Sequence, residues 1–274
     1  MVAADRTEGD VTMVDPGRRA ALAALSLAAG AGLAPCTAAS ASGRTVRRSG
    51  WAPPGPRPPA ELLGSEIRRI PTSRKVVALT FNAAWDESGI DAVLGELRRR
   101  KLPATFFPTG RFAEEHPAAV RAMGAAHGLG NHSHSHPYFD DLSTAERADE
   151  VRRADAAIRA ASGAEPLPFF RFPYSATSEE SVADVNDLGY AAIEFTTDTN
   201  GYLGPAGGMS VDEAVERAVD ALAPGAIIQM HVGSTGDGVV LDAQALPRIV
   251  DAVQEEGYEV IDLRGLLLNP AAGR

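Results

Sequence analysis

The chain has almost no cysteine and a deficit of basic charge, and each shortage excludes a class of protein. Its 274 residues include one cysteine, Cys36, so neither a disulfide framework nor a cysteine-rich zinc site is available. Lys and Arg number 26 against 36 Asp and Glu, a formal net charge of −10. Binding to phosphates without sequence preference takes clustered Lys and Arg, so this balance argues against a nucleic-acid partner. Hydrophobic residues at 45% and charged residues at 23% are typical of a globular domain.

The sequence predicts an export signal over residues 1–36. Arg18 and Arg19 precede the run Ala20–Pro35, which is built almost wholly from Ala, Leu and Gly. The run is shorter than the roughly 20 residues that span a bilayer, so a permanent transmembrane helix is the weaker interpretation. The paired arginines leave a twin-arginine signal open, and the residues before Cys36 resemble a lipoprotein cleavage box. The predicted location is extracellular or in the cell envelope, with a lipid anchor at Cys36 as an open alternative.

The sequence predicts a linker over residues 37–71 and a folded domain over residues 72–270. Five prolines lie within the stretch Pro53–Ala60, which is typical of an extended, semi-rigid spacer. From Arg74 onward, short apolar runs alternate with longer helical patterns. This alternation predicts an α/β domain with a largely parallel sheet.

The elements of this domain have readable boundaries. Helices are predicted to begin at Ser88, Ser143 and Ser210, and the last two serines are followed by Glu146 and Glu213, as in a capping box. Apolar runs predict strands at Val76–Phe81, Ala104–Phe107, Leu167–Phe170, Ala191–Phe195, Ala226–Met230 and Tyr258–Ile261.

The unusual polar residues follow these predicted strands. They are Asn82, Asp86, the three histidines 132, 134 and 136, Arg171, Asp198 and His231. In a parallel α/β barrel the carboxyl ends of the strands meet on one face, where active sites are built. We therefore expect these separated segments to form one site.

The histidines are the strongest chemical signal. His132 and His136 can bind one metal from a loop that turns back on itself, whereas His134 then points elsewhere. The alternative is a polar surface loop. His231 ends an apolar strand and is a candidate general acid or base, or else a buried histidine bonded to a backbone carbonyl.

Two further segments carry polar groups to the same face. Arg171, between aromatic residues and ahead of a proline, is a candidate for orienting a carboxylate or an acetyl group, with a surface salt bridge as the alternative. Asp198 and Tyr202 bring a carboxylate and an aromatic ring to the rim, suited to a sugar ring or to tuning a histidine, or else they form a capped loop.

The order of these motifs resembles that of the polysaccharide deacetylases, carbohydrate esterase family 4. The motifs are Thr80-Phe81-Asn82, His-Ser-x-x-His, Arg-x-Pro-Tyr, Asp-Thr-x-x-Tyr and Met-His, over roughly residues 72 to 268. The resemblance implies a distorted (β/α) barrel, a divalent metal, usually zinc, and removal of acetyl groups from N-acetylglucosamine polymers such as peptidoglycan or chitin.

The resemblance also implies roles for individual residues. His132 and His136 look like the metal histidines, Arg171 like the residue that positions the base, and His231 like the general acid. The backbone N–H of Tyr174 is expected to face the developing oxyanion. Asn82, Trp85 and Tyr202 are the remaining candidates for substrate contact.

Two motifs depart from the family pattern. The family's first motif reads Thr-Phe-Asp-Asp-Gly, with the first Asp as base and the second as metal ligand, whereas this chain has Asn82 and Ala83. A neutral amide cannot take a proton from water. Asp86 is therefore expected to fold back as metal ligand or base, with Glu87 as a second candidate. The second Asp of the fourth motif is replaced by Gly201, so Asp198 is expected to tune His231.

Two functional hypotheses follow from the sequence. The first is an exported, metal-dependent deacetylase of peptidoglycan or a chitin-like glycan. The second is a catalytically impaired homologue that binds wall glycan. Membrane contact is expected only through the signal or a lipid anchor.

Overall fold

The computed structural model describes residues 55–235 and 238–268. The predicted export signal, Cys36 and residues 37–54 of the predicted linker lie outside the described residues. Within the described ranges, no helix has the length and apolarity needed to cross a bilayer.

Strands and helices alternate along the chain, as the sequence predicts. The strands are β1 Val76–Ala83, β2 Thr105–Pro108, β3 Gly128–Leu129, β4 Phe169–Phe170, β5 Ala191–Ala192, β6 Thr197–Asp198, β7 Ala226–His231 and β8 Glu259–Ile261. The helices are α1 Ile90–Arg100, α2 Gly110–Glu115, α3 Pro117–Gly124, α4 Thr144–Ser162, α5 Glu179–Asp187, α6 Val211–Asp220, α7 Leu241–Glu255 and α8 Gly265–Leu268.

Every strand ladder is parallel, and β1 lies at the centre. It pairs with β2 and β8 on one edge and with β7 on the other. β3 follows β2, β6 follows β7, and β4 with β5 forms a separate pair. A bridge between Asn131 and Phe170 links the ends of β3 and β4. Strands β1 to β7 thus follow one another in chain order as in a distorted barrel, whereas β8 lies beside β1 on the β2 edge, and the regular ladders of the described residues do not close. The fold class is α/β, as predicted.

Helix starts were predicted well, with one exception. Ser143 and Ser210 are N-caps of α4 and α6 and form capping boxes with Glu146 and Glu213. The prediction for Ser88 is wrong, because the N-cap of α1 is Gly89 and no side chain caps that helix. Asp198 lies within the short strand β6 rather than in a loop after the strand.

Side chains of β1 alternate between two environments. Val77, Leu79, Phe81 and Ala83 belong to the larger core cluster, which includes the apolar faces of the helices, whereas Ala78 belongs to an inner cluster. Because strand side chains alternate between faces, Thr80 and Asn82 share the inner face with Ala78. This alternation places Asn82 inside the barrel at the carboxyl end of β1.

The predicted boundary at residue 72 is too late. Leu62 and Ile70 are buried in the inner cluster. Ile67 forms a parallel bridge with Ile193. These apolar side chains cover the inner cluster, so the end of the predicted linker is part of the folded domain.

Candidate active site

A cleft of about 570 Å³ opens at the carboxyl ends of the strands. This volume lies within the range of small-molecule sites. Eight of the predicted site residues line it: Asn82, Trp85, His132, His136, Tyr174, Asp198, Tyr202 and His231. The expectation that separated motifs meet at one site is confirmed for these eight positions.

The loop that carries the histidines is held by buried hydrogen bonds. Glu150 of α4 accepts the backbone N–H groups of His134 and Ser135 at 2.8 and 2.7 Å. The Ser133 hydroxyl accepts the His136 N–H at 3.0 Å. His134 is turned away from the other two rings, and its Nε2 lies 3.2 Å from Glu114 Oε1.

His132 and His136 face each other through their Nε2 atoms, which are 3.2 Å apart. His132 Nδ1 lies 2.8 Å from the Arg171 carbonyl oxygen, an acceptor, so Nδ1 carries the proton and Nε2 has a free lone pair. Burial, with the charge of His136, holds the pKa of His132 well below its usual value. Burial and the charge of His231 lower the pKa of His136 to about 4.

The pair fits the imidazole half of a divalent-metal site. Two neutral imidazoles with converging Nε2 atoms are the form in which histidine binds zinc. Catalytic zinc sites usually have three protein ligands. Among the described residues, no group of three or more His, Cys, Asp or Glu side chains is arranged to hold a metal. The carboxylate ligand is the missing part.

Asp86 does not supply that carboxylate, which corrects the expectation for its role as metal ligand and base. Its Oδ1 accepts the Ser88 N–H and its Oδ2 accepts the Ser234 N–H, both at 2.9 Å. Burial opposes ionisation, but these bonds leave the pKa of Asp86 below its usual value. The carboxylate thus ties two loops together. Glu87 faces His116, with Oε2 3.3 Å from Nδ1.

Arg171 is fully buried behind the cleft, so it does not reach a substrate acetyl group. Its Nη1 donates to Thr80 Oγ1 at 3.0 Å and to Asn82 Oδ1 at 3.1 Å. Burial lowers the pKa of Arg171 to about 10. Arg171 therefore positions Asn82 through its side chain and His132 through its carbonyl. This burial excludes the surface salt bridge.

Ala83 offers no route to the missing ligand. It is fully buried among core residues on the helix-facing side of β1. Asn82 Nδ2 also donates to Gln229 Oε1 at 3.2 Å, so the amide is fixed at both ends.

His231 ends β7 and lines the same cleft as the histidine pair. Its Nδ1 is 3.8 Å from Asp198 Oδ1, and the Tyr202 ring lies against the imidazole with centroids 4.5 Å apart. Asp198 Oδ2 accepts Gln229 Nε2 at 2.7 Å, and its Oδ1 accepts the Asn200 N–H at 2.8 Å. Asp198 therefore lies beside His231, as predicted. Both of its carboxylate oxygens accept hydrogen bonds from other residues, Asn200 and Gln229.

Two buried carboxylates near the site were not predicted. Asp242 in the first turn of α7 accepts the His231 backbone N–H at 2.8 Å. Glu194 accepts the Phe172 N–H at 3.1 Å. The sequence does hold a signal for Asp242, because it lies in the apolar stripe formed by Ala245, Leu246 and Ile249, where a charge is unusual.

Aromatic side chains form the rim of the cleft. Trp85 and Tyr174 are exposed, and their rings lie 5.1 and 4.6 Å from the His136 ring, measured between centroids. Tyr138, which was not singled out from the sequence, stacks on Tyr174 at 4.0 Å. Exposed aromatic faces beside polar groups suit the apolar face of a sugar.

Unusual backbone conformations concentrate around this cleft. Six non-glycine residues of the described ranges have positive φ angles. Lys101 caps α1, and the other five lie in the loops of the site: Ser133, His136, Tyr174, Ser175 and Asn200. Left-handed backbone at non-glycine residues is costly and clusters at functional sites.

Comparisons with known proteins agree with this geometry. The family model for polysaccharide deacetylases matches residues 69–193. A chitooligosaccharide deacetylase of Bradyrhizobium sp. (strain ANU 289) is 31% identical over 194 residues, 67% of this chain and 87% of that protein. The structure of a family 4 carbohydrate esterase from Streptomyces lividans in complex with acetate has a TM-score of 0.60 at 28% identity, covering 73% and 96% of the two chains.

A second solved structure has the same sequence identity and a higher TM-score. BA3943 of Bacillus anthracis, described as a CE4 family pseudoenzyme, has a TM-score of 0.67 at 28% identity, covering 74% of this chain and 69% of that one. A mutant of that protein is described as having restored enzymatic activity.

The fold is that of an α/β protein of the carbohydrate-esterase type, with a cleft at the carboxyl ends of its strands. The chain belongs to the polysaccharide deacetylase family, carbohydrate esterase family 4.

Proposed function

We propose that this protein removes N-acetyl groups from a glycan that contains N-acetylglucosamine, such as peptidoglycan or a chitin-like chain, and that it does so slowly. The observation that carries the proposal is the convergence of His132, His136 and His231 on one aromatic-rimmed cleft. Relatives described as chitooligosaccharide and peptidoglycan deacetylases support the choice of substrate class.

The proposed cofactor is a divalent metal, zinc by its preference for imidazole, held by His132 and His136. When bound there, it would polarise the acetyl carbonyl and lower the pKa of bound water. The lowered pKa values of both rings support this assignment, because they keep the ligands neutral at physiological pH.

His231 is the proposed general acid. Hydrolysis of the amide adds water to the acetyl carbon and breaks the C–N bond, and the leaving nitrogen must receive a proton. The His231 ring lines the same cleft as the metal histidines and carries this proton to the amine. The products are acetate and a free amino sugar.

The slow rate follows from the missing base. Asn82 occupies the position from which a carboxylate would accept a proton from the attacking water, and an amide cannot do so. Loss of a general base typically costs about 10²- to 10⁴-fold in rate. Asp86 does not compensate, because both of its oxygens bind backbone N–H groups.

The same absence favours one second candidate, a wall-glycan-binding protein without turnover. Both candidates use the cleft and its aromatic rim, and both are consistent with the predicted export to the cell envelope. They differ in whether acetate is released.

Acetate release from N-acetylglucosamine oligomers and from peptidoglycan, with added zinc, tests the proposal. We expect slow release by the wild-type protein, loss of release in His231→Ala, and loss of bound metal in His132→Ala/His136→Ala. Asn82→Asp places a carboxylate beside the imidazole pair and next to Arg171, so we expect a rise in rate of about 10²-fold or more. Asp91→Asn, which removes a charge from the exposed first turn of α1, is the matched control and should leave the rate unchanged.

Retention of glycan binding with no acetate release, in both the wild-type protein and Asn82→Asp, would overturn the enzyme and support the binding protein. Export is tested separately: recovery of unprocessed full-length chain from the cytoplasm would contradict the proposed envelope location.

A further inference from the structure

Asp242 is a buried carboxylate that the proposed chemistry has not yet used. Its side chain is 0% exposed. Oδ2 accepts the His231 N–H at 2.8 Å, and Oδ1 accepts the Thr199 hydroxyl at 2.6 Å. A carboxylate taken out of water is costly to the fold unless it faces hydrogen-bond donors and an opposite charge. The ionisable base that it faces is the His231 ring, whose Nδ1 is 3.7 Å from Oδ2.

The His231 ring lacks a partner on the same side. Nδ1 is buried and has no hydrogen-bond acceptor among the described residues. Asp198 is at a similar distance, 3.8 Å, and like Asp242 it has both oxygens in hydrogen bonds, Oδ1 with the Asn200 N–H and Oδ2 with Gln229, so burial is what distinguishes the two acids. Asp242 is the less exposed of the two carboxylates, so its field at the ring is less screened by water. Hydrogen bonds of catalytic groups are often long before substrate binds.

Gly201 provides the space in which the Asp242 carboxylate lies. A Cβ atom at position 201 would be 2.3 Å from Asp242 Oδ1 and 2.4 Å from its Cγ. Gly201 does not have a positive φ, so its backbone would accept another residue. What requires glycine here is the neighbouring carboxylate.

We propose that Asp242 is the positioning residue for His231: it orients the ring with the Nδ1 proton toward α7 and Nε2 toward the cleft, and it stabilises the protonated ring. Gly201 is the gap that admits the carboxylate. This inference rests on the proposed role of His231 as general acid, but its structural part holds whether or not the protein turns over substrate.

An exchange of the carboxylate between the two positions tests the inference. Asp242→Ala removes it, Gly201→Asp alone forces two carboxylates into one space, and Gly201→Asp/Asp242→Ala returns a single carboxylate from the other side. Asp242→Asn is the matched control, because it keeps an oxygen for the His231 N–H and removes the charge.

The readout is the ¹⁵N NMR spectrum of the His231 ring in the full chain, with His231→Gln identifying its signals. We expect the Nδ1-protonated tautomer in the wild-type protein, its loss in Asp242→Ala and Asp242→Asn, and its return in the double variant. Where acetate release is measurable, kcat should fall about 10²- to 10⁴-fold in Asp242→Asn with KM unchanged, as for loss of acid–base catalysis. This spectrum does not depend on turnover, so failure of the deacetylase proposal is distinguishable from failure of this one.

An unchanged His231 spectrum in folded Asp242→Asn would overturn the inference. So would a tautomer that responds to Asp198→Asn alone. Thermal unfolding of each variant identifies any that fail to fold. If the Ala or Asp substitutions prevent folding, the spectrum of Asp242→Asn alone tests the inference.

Discussion

At the residue scale, Glu194 is the acid whose burial has the clearest consequence for stability. Its side chain is fully buried beneath the turn that carries Tyr174, and its Oε2 has no hydrogen-bond partner among the described residues. Burial raises the pKa of Glu194, although the positive charge of Arg171 opposes this effect. The folded protein therefore holds the Glu194 proton to a higher pH than the unfolded chain does.

Glu194→Gln should stabilise the protein at neutral pH. Since the folded pKa is raised, the stability associated with the protonated acid is fully present below the unfolded pKa and is lost as pH rises through the folded pKa. Glutamine stays neutral, so the variant should gain free energy of unfolding relative to wild type as pH rises from about 4.5. The gain is about 1.4 kcal/mol for each pH unit that separates the folded pKa from the unfolded one. Urea unfolding at pH 4 and pH 8 measures this, and a constant difference at the two pH values would contradict it.

The sequence predicted the arrangement of site residues where that arrangement is local, that is, where the residues lie close together along the chain. His132 and His136 are four residues apart in one loop, and their convergence follows from local geometry. Asp86 and Asp242 show the limit of this reasoning. The Asp86 carboxylate is directed by an N–H group of Ser234, far along the chain, and the Asp242 carboxylate by the gap at Gly201. Such contacts are tertiary, and no local pattern specifies them.

At the element scale, helices were easier to predict than strands. α4 and α6 start where their capping boxes lie in the sequence, because a serine hydroxyl and a glutamate three residues on satisfy local N–H groups. β3 and β6 contain two residues each and depend on pairing with β2 and β7, so their residues carry no periodic signal.

The Ser143 cap should contribute measurably to stability. Ser143→Ala removes the acceptor for the Glu146 N–H and the partner of the Glu146 carboxylate. We expect a loss of about 1 kcal/mol in the free energy of unfolding, measured by urea denaturation. Ser143→Thr keeps the hydroxyl and serves as control. Equal losses in the two variants would show that the hydroxyl is not what stabilises α4.

At the scale of the whole domain, one extended stretch joins the two parts of the sheet. Residues 191–198 pair with β4 at their start and with β7 at their end, as β5 and β6. Ile67 pairs beside the same stretch. The alternation of strands and helices predicted this chain-order arrangement. It did not predict that residues before 72 pack against the sheet, because the proline-rich composition of the segment hid its few apolar positions.

Adjacent leucines in that earlier segment allow a direct test of its contribution. Leu62 is 3% exposed and packs in the inner cluster, whereas Leu63 is 36% exposed. Leu62→Ala removes buried apolar surface and leaves a cavity, so we expect a loss of about 2–5 kcal/mol in the free energy of unfolding. Leu63→Ala, with the same chemical change at the surface, should cost no more than about 0.5 kcal/mol. The inner cluster lies beneath the strands that carry Asn82 and His231, and equal effects of the two substitutions would contradict the contribution of the buried Leu62 side chain to that cluster.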